Sequence, residues 1–248
     1  MTIDELKNNL LGIPHTSAED GEILHNFLMD LKPSKILELG FDHGVSTCWM
    51  ALAAQKLEFE IDSIDRPDAL NSKPDIYQNL TKNGLEKFVN VIISERTYIW
   101  ELRNLISKNS TNGVCKPIYD FCFIDGAHTW ETDGFAFFLV EKLLKPGGWI
   151  LFDDINWTIA ESKSLAQFDW VKDMPKEEKN TPHVKEILEL LVSQHPNFDN
   201  FRIQGKWAWV KKTSNSKLNS INFEKVYKKP SIKNAFLNFL YAIKKNLI

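Results

Sequence analysis

The sequence predicts a doubly wound α/β fold. Its sheet has about seven strands, mostly parallel, ends in a C-terminal antiparallel hairpin, and carries helices on both faces. Three observations predict it. From Lys35 to about Lys212, short apolar runs alternate with helix-like segments, which is the pattern of strand–helix–strand units with right-handed crossovers. The run Lys35-Ile-Leu-Glu-Leu-Gly-Phe-Asp-His-Gly-Val-Ser-Thr47 passes from a strand through a turn with Gly40 and Gly44 into a helix. Near the end, Phe201–Gln204 and Trp207–Val210 flank Gly205 as a hairpin.

Each element has its own signal. Ile36–Gly40 is the first strand, followed by a helix to about Lys56. Phe59–Ile64 is the second strand and ends at Asp65. A helix over Asp75–Asn83 is closed by Gly84, a residue suited to the left-handed position after a helix. Phe88–Ile93 is the third strand, followed by a helix over Tyr98–Lys108. Tyr119–Ile124 is the fourth and ends at Asp125. In the helix after it, the spacing of Phe135, Phe138, Leu139 and Leu143 predicts one buried face. Lys145-Pro-Gly-Gly148 reads as a turn into a fifth strand, Trp149–Phe152. Val184, Ile187, Leu188 and Leu191 mark a further helix, begun by Thr181-Pro182.

Composition bounds the function. The chain has 248 residues, 43% hydrophobic and 25% charged, with a net charge of −3 and a mean hydropathy of −0.28. Nothing global favours nucleic acid, because a basic surface would be expected for that partner. Three cysteines, Cys48, Cys115 and Cys122, lie in or near apolar segments. They read as thiols of a reducing compartment rather than a disulfide framework. With no signal peptide and no apolar run of about 18 residues, a cytoplasmic location is expected.

The glycine turn brings backbone close to a ligand at the carboxyl end of a strand. It lacks the G-x-G-x-x-G pattern of dinucleotide sites and the Gly-Lys-Ser/Thr ending of triphosphate sites. Glu38, the charged residue inside the apolar run, suits a cationic ligand group or the N–H groups of the turn. Asp65, Asp125, Asp153 and Asp154 stand at the ends of strands two, four and five. Ligands of open α/β sheets lie outside the carboxyl ends of the strands, so these acids share one rim.

The stretch from Glu38 to Gly44 resembles the first motif of class I S-adenosylmethionine-dependent methyltransferases, roughly (D/E)-x-G-x-x-x-G. The terminal antiparallel hairpin is similar to that family's version of the Rossmann-like sheet, and the resemblance covers roughly residues 20–212. It implies S-adenosyl-L-methionine as cofactor. Asp65, 21 residues after Gly44, would accept the ribose hydroxyls. The Gly40–Gly44 backbone with Ser46 would cradle the amino-acid end. Ser94, Glu95 and Arg96 would lie where the family contacts adenine, and Asp125 would also border the cofactor.

Asp125-Gly-Ala-His128 and Asp153-Asp154 suggest a second site. Three carboxylates on neighbouring strand ends repel one another unless a cation or proton intervenes, and oxygen-only ligands suit a hard ion such as Mg²⁺. His128 is placed to take a proton, since its ordinary pKa is near neutral. The D-G-x-H and D-D pair resembles the metal-dependent O-methyltransferases of macrolide deoxysugars and the cephalosporin-hydroxylase-like group. That resemblance implies Asp125, Asp153 and Asp154 as metal ligands, His128 as base, and a small hydroxylated acceptor such as a sugar. Asn156 stands two residues after Asp154 rather than adjacent, which departs from the catechol-type pattern. A metal-free enzyme on the same fold and a non-catalytic cofactor-binding subunit are the alternatives.

Three domains are expected: a helical extension over residues 1–34, the cofactor-binding domain over 35–212, and a linker with a helix over 213–248. Ser17 is a helix cap within the extension, which would cover the cofactor or build a homo-oligomer. Residues 157–180, with Trp157, Phe168 and Trp170, read either as a lid over the acceptor or as a surface helix. In the tail, Phe236, Leu240, Ile243 and Leu247 share a helical face among lysines. That helix suits peripheral contact with an anionic membrane, or docking on this protein or its twin.

Overall fold

The computed structural model describes residues 1–214, so the expected C-terminal helix lies outside the described residues. Seven strands form the main sheet: β1 Lys35–Leu39, β2 Glu60–Asp65, β3 Val89–Ile93, β4 Tyr119–Ile124, β5 Leu144–Phe152, β6 Phe198–Gln204 and β7 Trp207–Lys212. Their order is β3-β2-β1-β4-β5-β7-β6. The first five run parallel, and β7 pairs antiparallel with both β5 and β6. This is the expected doubly wound sheet with its terminal hairpin. A small ribbon, Ser110–Thr111 with Val114–Cys115, stands apart from it.

The helices of eight or more residues are α1 Ile3–Leu10, α2 Ala18–Leu31, α3 Val45–Leu57, α4 Ile76–Asn83, α5 Tyr98–Lys108 and α6 Trp130–Leu143, and the helix expected around Val184 is His183–Glu186 continued as a π-helix over Ile187–Val192. Strand alternation sorts the side chains into two layers. Ile36, Ile61, Phe121, Phe123 and Leu151 meet Leu6, Leu24, Trp49, Ile76 and Leu80 of α1–α4 on one face. Leu37, Leu39, Ile64, Cys122, Ile124 and Ile150 meet Leu102, Phe137, Val140, Val184 and Ile187 on the other. Ser17 caps α2 where the sequence places it, and Asp75 caps α4. Ser17 Oγ accepts the Asp20 N–H at 3.0 Å, and the Asp75 carboxylate accepts the Gln78 N–H at 2.9 Å.

Two expectations are corrected. Phe135 and Phe138 of α6 are 52% and 40% exposed, while Ala136, Phe137, Val140 and Leu143 are buried. The core-facing stripe is therefore rotated from the one that the phenylalanines suggested, because Phe137 and Val140 supply its volume. Lys145-Pro-Gly-Gly148 is not a separate turn. β5 already begins at Leu144, and the register slips between Tyr119, opposite Leu144, and Phe121, opposite Trp149. Pro146 cannot donate to the ladder and Gly147 takes φ +85°, so the turn chemistry produces a bulged strand entry.

The helical extension packs directly on the cofactor-side helix. A Cβ built on Gly21 of α2 would lie 2.2 Å from Nε1 of Trp49 in α3, and Trp49 is fully buried. Gly21→Val is expected to destabilise the fold by about 1–3 kcal/mol through overpacking, read as a lower midpoint in urea unfolding at unchanged slope.

Candidate active site

The strand order reverses at β1, whose neighbours β2 and β4 lead away in opposite directions. Crevices of open α/β sheets form at this switch point. A cavity of about 640 Å³ opens there, lined by the β1–α3 loop, Asp65, Arg96–Tyr98, Asp125–Thr129, Asp153, Asp154 and Lys206. The close approach requires glycine at position 40. Gly40 takes φ +90°, and a Cβ on it would lie 1.9 Å from the Asp125 carbonyl oxygen.

Asp65 holds the loop it faces. One carboxylate oxygen accepts the N–H groups of Phe41 at 2.8 Å and Asp42 at 3.0 Å, and the other accepts that of Arg66 at 2.7 Å. A carboxylate offers about four lone-pair positions, so it keeps capacity for a ligand hydroxyl. Glu38 plays a different part from the one expected. It is fully buried, and its oxygens accept from Ser46 and Thr47 Oγ at 2.6 Å and from Ser63 Oγ at 2.5 Å. It ties β1 to the start of α3 and to β2 instead of facing a ligand, and burial, opposed by the three hydroxyl donors, pushes its pKa up to about 7. Ser46 is part of the cavity lining, alongside Val45.

The adenine-side expectation shifts by two residues. Ser94 is buried and its hydroxyl donates to the Thr97 carbonyl at 2.7 Å. Among the described residues, the lining contains Arg96, Thr97 and Tyr98 but neither Ser94 nor Glu95.

At the ends of β4 and β5, the acids converge with His128. Its Nε2 lies 3.5 Å from Oδ1 of Asp125. Ligating atoms of Asp125, His128 and Asp153 all lie within 4.8 Å of one another. Asp154 stands outside that group. Its backbone is left-handed, at φ +51°, and its Oδ1 lies 3.6 Å from Nζ of Lys206. Lys206 also donates to Asp153 Oδ2 at 3.0 Å, while Asp153 Oδ1 accepts the Asp154 N–H at 2.8 Å. Of the three carboxylates expected as metal ligands, Asp125 and Asp153 come together with His128, and Asp154 stands apart beside Lys206.

Burial pushes the Asp125 carboxyl well above the usual carboxylate range, and the Asp153 charge adds to it while His128 opposes it. Burial works against a charged His128, but Asp125 first, then Asp133 and Asp154, outweigh it and raise its pKa to about 9. A second layer holds His128 in place. Its backbone is left-handed at φ +52°, and its N–H donates to Asp133 Oδ2 at 2.8 Å. Asp133 in turn accepts the Tyr98 hydroxyl, which receives the Ala127 N–H at 3.2 Å.

Sequence reasoning missed Lys206, Tyr98 and Asp133. Lys206 had a usable signal: an antiparallel β7 beside β5 brings the hairpin turn to the carboxyl end of β5, where Phe152 pairs with Ala208. The expected insert also reaches the cavity. Trp157, Ser162, Ser164, Leu165 and Trp170 line it, with Leu165 on the short turn Leu165–Gln167 and Trp170 on Asp169–Lys172. From the extension, Pro14, His15 and Thr16 line the same cavity.

Residues 37–155 match a family described as a methyltransferase domain. With the sheet order and the acids along its strand ends, the match gives the chain a methyltransferase domain over residues 37–155, built on a Rossmann-like sheet. The chain is similar to the O-methyltransferase TomG of Streptomyces achromogenes, involved in tomaymycin synthesis and solved with S-adenosylmethionine. That likeness has a TM-score of 0.58 and 16% identity, covering 86% of this chain and 89% of the other. It is also similar to the S-adenosylhomocysteine-bound methyltransferase PaMTH1 of Podospora anserina, at TM-score 0.59 and 18% identity over 86% and 88% of the two chains. An O-methyltransferase of Bacillus cereus in complex with S-adenosylhomocysteine gives TM-score 0.56 and 19% identity over 85% and 90%. No curated protein matches the chain. No helix among the described residues is long and apolar enough to cross a membrane.

Proposed function

We propose that this chain transfers the methyl group of S-adenosylmethionine to a hydroxyl of a small acceptor, of the sugar or glycan-intermediate class. The observation that carries the reading is the His128–Asp125 pair on the rim of a cavity whose other wall is the Gly40–Gly44 loop and Asp65. Asp65 accepts a ribose hydroxyl, and the loop receives the amino-acid end beside Ser46. Neutral His128 takes the proton from the acceptor hydroxyl as its oxygen attacks the methyl carbon and the C–S bond breaks. Asp125 orients the ring and stabilises the imidazolium that forms. Methyl transfer is an in-line displacement, so alignment of hydroxyl and sulfonium supplies most of the acceleration. Trp157, whose ring lies 5.5 Å from that of His128, and Trp170 offer faces on which a sugar ring can stack.

Lys206 offsets the charge of Asp153 and Asp154 at the rim, so the reading runs without a metal. A second reading rests on one observation, the 4.8 Å grouping of Asp125, His128 and Asp153. These residues would hold a divalent ion, which supplies Lewis acidity that lowers the pKa of a bound hydroxyl. The test is methyl transfer from labelled S-adenosylmethionine across a panel of sugars, phenols and amines, with and without EDTA. Turnover that survives EDTA and falls about tenfold or more in Lys206→Ala is the expected result. Turnover restored only by added divalent ion favours the second reading, and labelling of amines alone overturns O-methylation.

A further inference from the structure

One group of ligating side chains lies outside the chemistry above. His15 sits on the connection between α1 and α2, and Asp42 and His43 sit on the β1–α3 loop. Each offers a ligating atom within 4.8 Å of the others. We propose that His15, Asp42 and His43 form a binding site for a borderline divalent transition-metal ion of the Zn²⁺ type, at the mouth of the cofactor cavity.

The donor set selects the ion. Two imidazoles and one carboxylate suit Zn²⁺ and its neighbours, whereas Mg²⁺ and Ca²⁺ favour oxygen ligands. The partners behind the ligands are already in place. His43 Nδ1 lies 2.7 Å from the carbonyl oxygen of Pro74, which can only accept. The proton is therefore on Nδ1, and Nε2 carries the lone pair that a metal needs. On Asp42, Oδ1 accepts the Ser72 hydroxyl, while Oδ2 faces His15 Nε2 at 2.8 Å. The two imidazole rings lie face to face, 5.9 Å between centroids.

Backbone and exposure agree with a site that admits an ion. His15 and Asp42 take left-handed φ values of +83° and +40°, costly for residues other than glycine and concentrated at ligand clamps. Their side chains are 63% and 43% exposed, so an ion can enter from solvent and keep water in its open position. In the metal-free chain, a proton on His15 bridges to Asp42, and the ion takes that proton's place. Because Pro14–Thr16 and the β1–α3 loop both line the cavity, the bound ion fastens the helical extension to the loop that receives the cofactor.

The test is calorimetric titration of Zn²⁺ into the full chain carrying His128→Ala, which removes the imidazole of the rim group. One equivalent of Zn²⁺ is expected to bind in this background. Adding His15→Ala, a change at an exposed side chain, is expected to weaken that binding by about tenfold or more, with an unchanged circular dichroism spectrum. Mg²⁺ is expected to give no heat that responds to His15→Ala. The proposal is overturned if the single and double variants give the same Zn²⁺ isotherm, or if neither binds.

Discussion

Replacing Asp65 with alanine is expected to weaken S-adenosylmethionine binding by about 100-fold or more, while the circular dichroism spectrum stays unchanged. Two effects add. The variant loses the acceptor for a ribose hydroxyl, and a hydrogen bond to a charged group contributes about 1.5–3 kcal/mol. It also frees the N–H groups of Phe41 and Asp42, which Asp65 holds at 2.8 and 3.0 Å. The loop that receives the amino-acid end of the cofactor is then no longer pre-ordered, and ordering it on binding costs affinity. Asp65→Asn is expected to fall between the two, since it keeps one acceptor oxygen but turns an amide toward a donor. Calorimetric titration of the three proteins reads the series directly. An Asp65→Ala protein that binds as tightly as the parent would remove Asp65 from the cofactor site.

The second large effect falls on the chemical step. His128→Ala is expected to lower kcat by about 10²–10⁴-fold, the range for loss of a positioned general base, with cofactor affinity retained. The pH profile adds a sharper readout. A base works deprotonated, and the His128 pKa is raised to about 9, so kcat/KM for the cofactor should climb with pH through that value. Binding the positively charged sulfonium disfavours the imidazolium, so the limb in kcat should lie below it. Asp125→Asn removes the strongest of the interactions that favour the imidazolium, and should move both limbs down. An ascending limb near 6.5 in the parent, unmoved by Asp125→Asn, would take the proton-transfer role from this pair.

Much of the architecture was legible because its signals are local. Alternating apolar runs and helix faces located all seven strands, and acids at strand ends located Asp65, Asp125 and Asp153 on one rim. What escaped depends on packing across elements. Glu38 reads as a ligand carboxylate until Ser46, Thr47 and Ser63, from two other elements, are seen to occupy it. Asp153 and Asp154 read as a matched pair until the left-handed backbone of Asp154 sets it beside Lys206, while Asp153 stays grouped with Asp125 and His128. The buried face of α6 keeps Leu143 from the predicted stripe but not Phe135 or Phe138, because helix rotation is set by the sheet surface beneath Phe137 and Val140. Tyr98 and Asp133 lie 35 residues apart, and neither carries a motif that announces the contact.

The most direct measurement is calorimetric titration of S-adenosylmethionine into the full chain, with and without Mg²⁺, and with NAD⁺ as control. The account predicts one equivalent bound with a Kd on the order of micromolar, about −8 kcal/mol. It also predicts little dependence on Mg²⁺ and no heat from NAD⁺. Absence of S-adenosylmethionine binding under both conditions would contradict it.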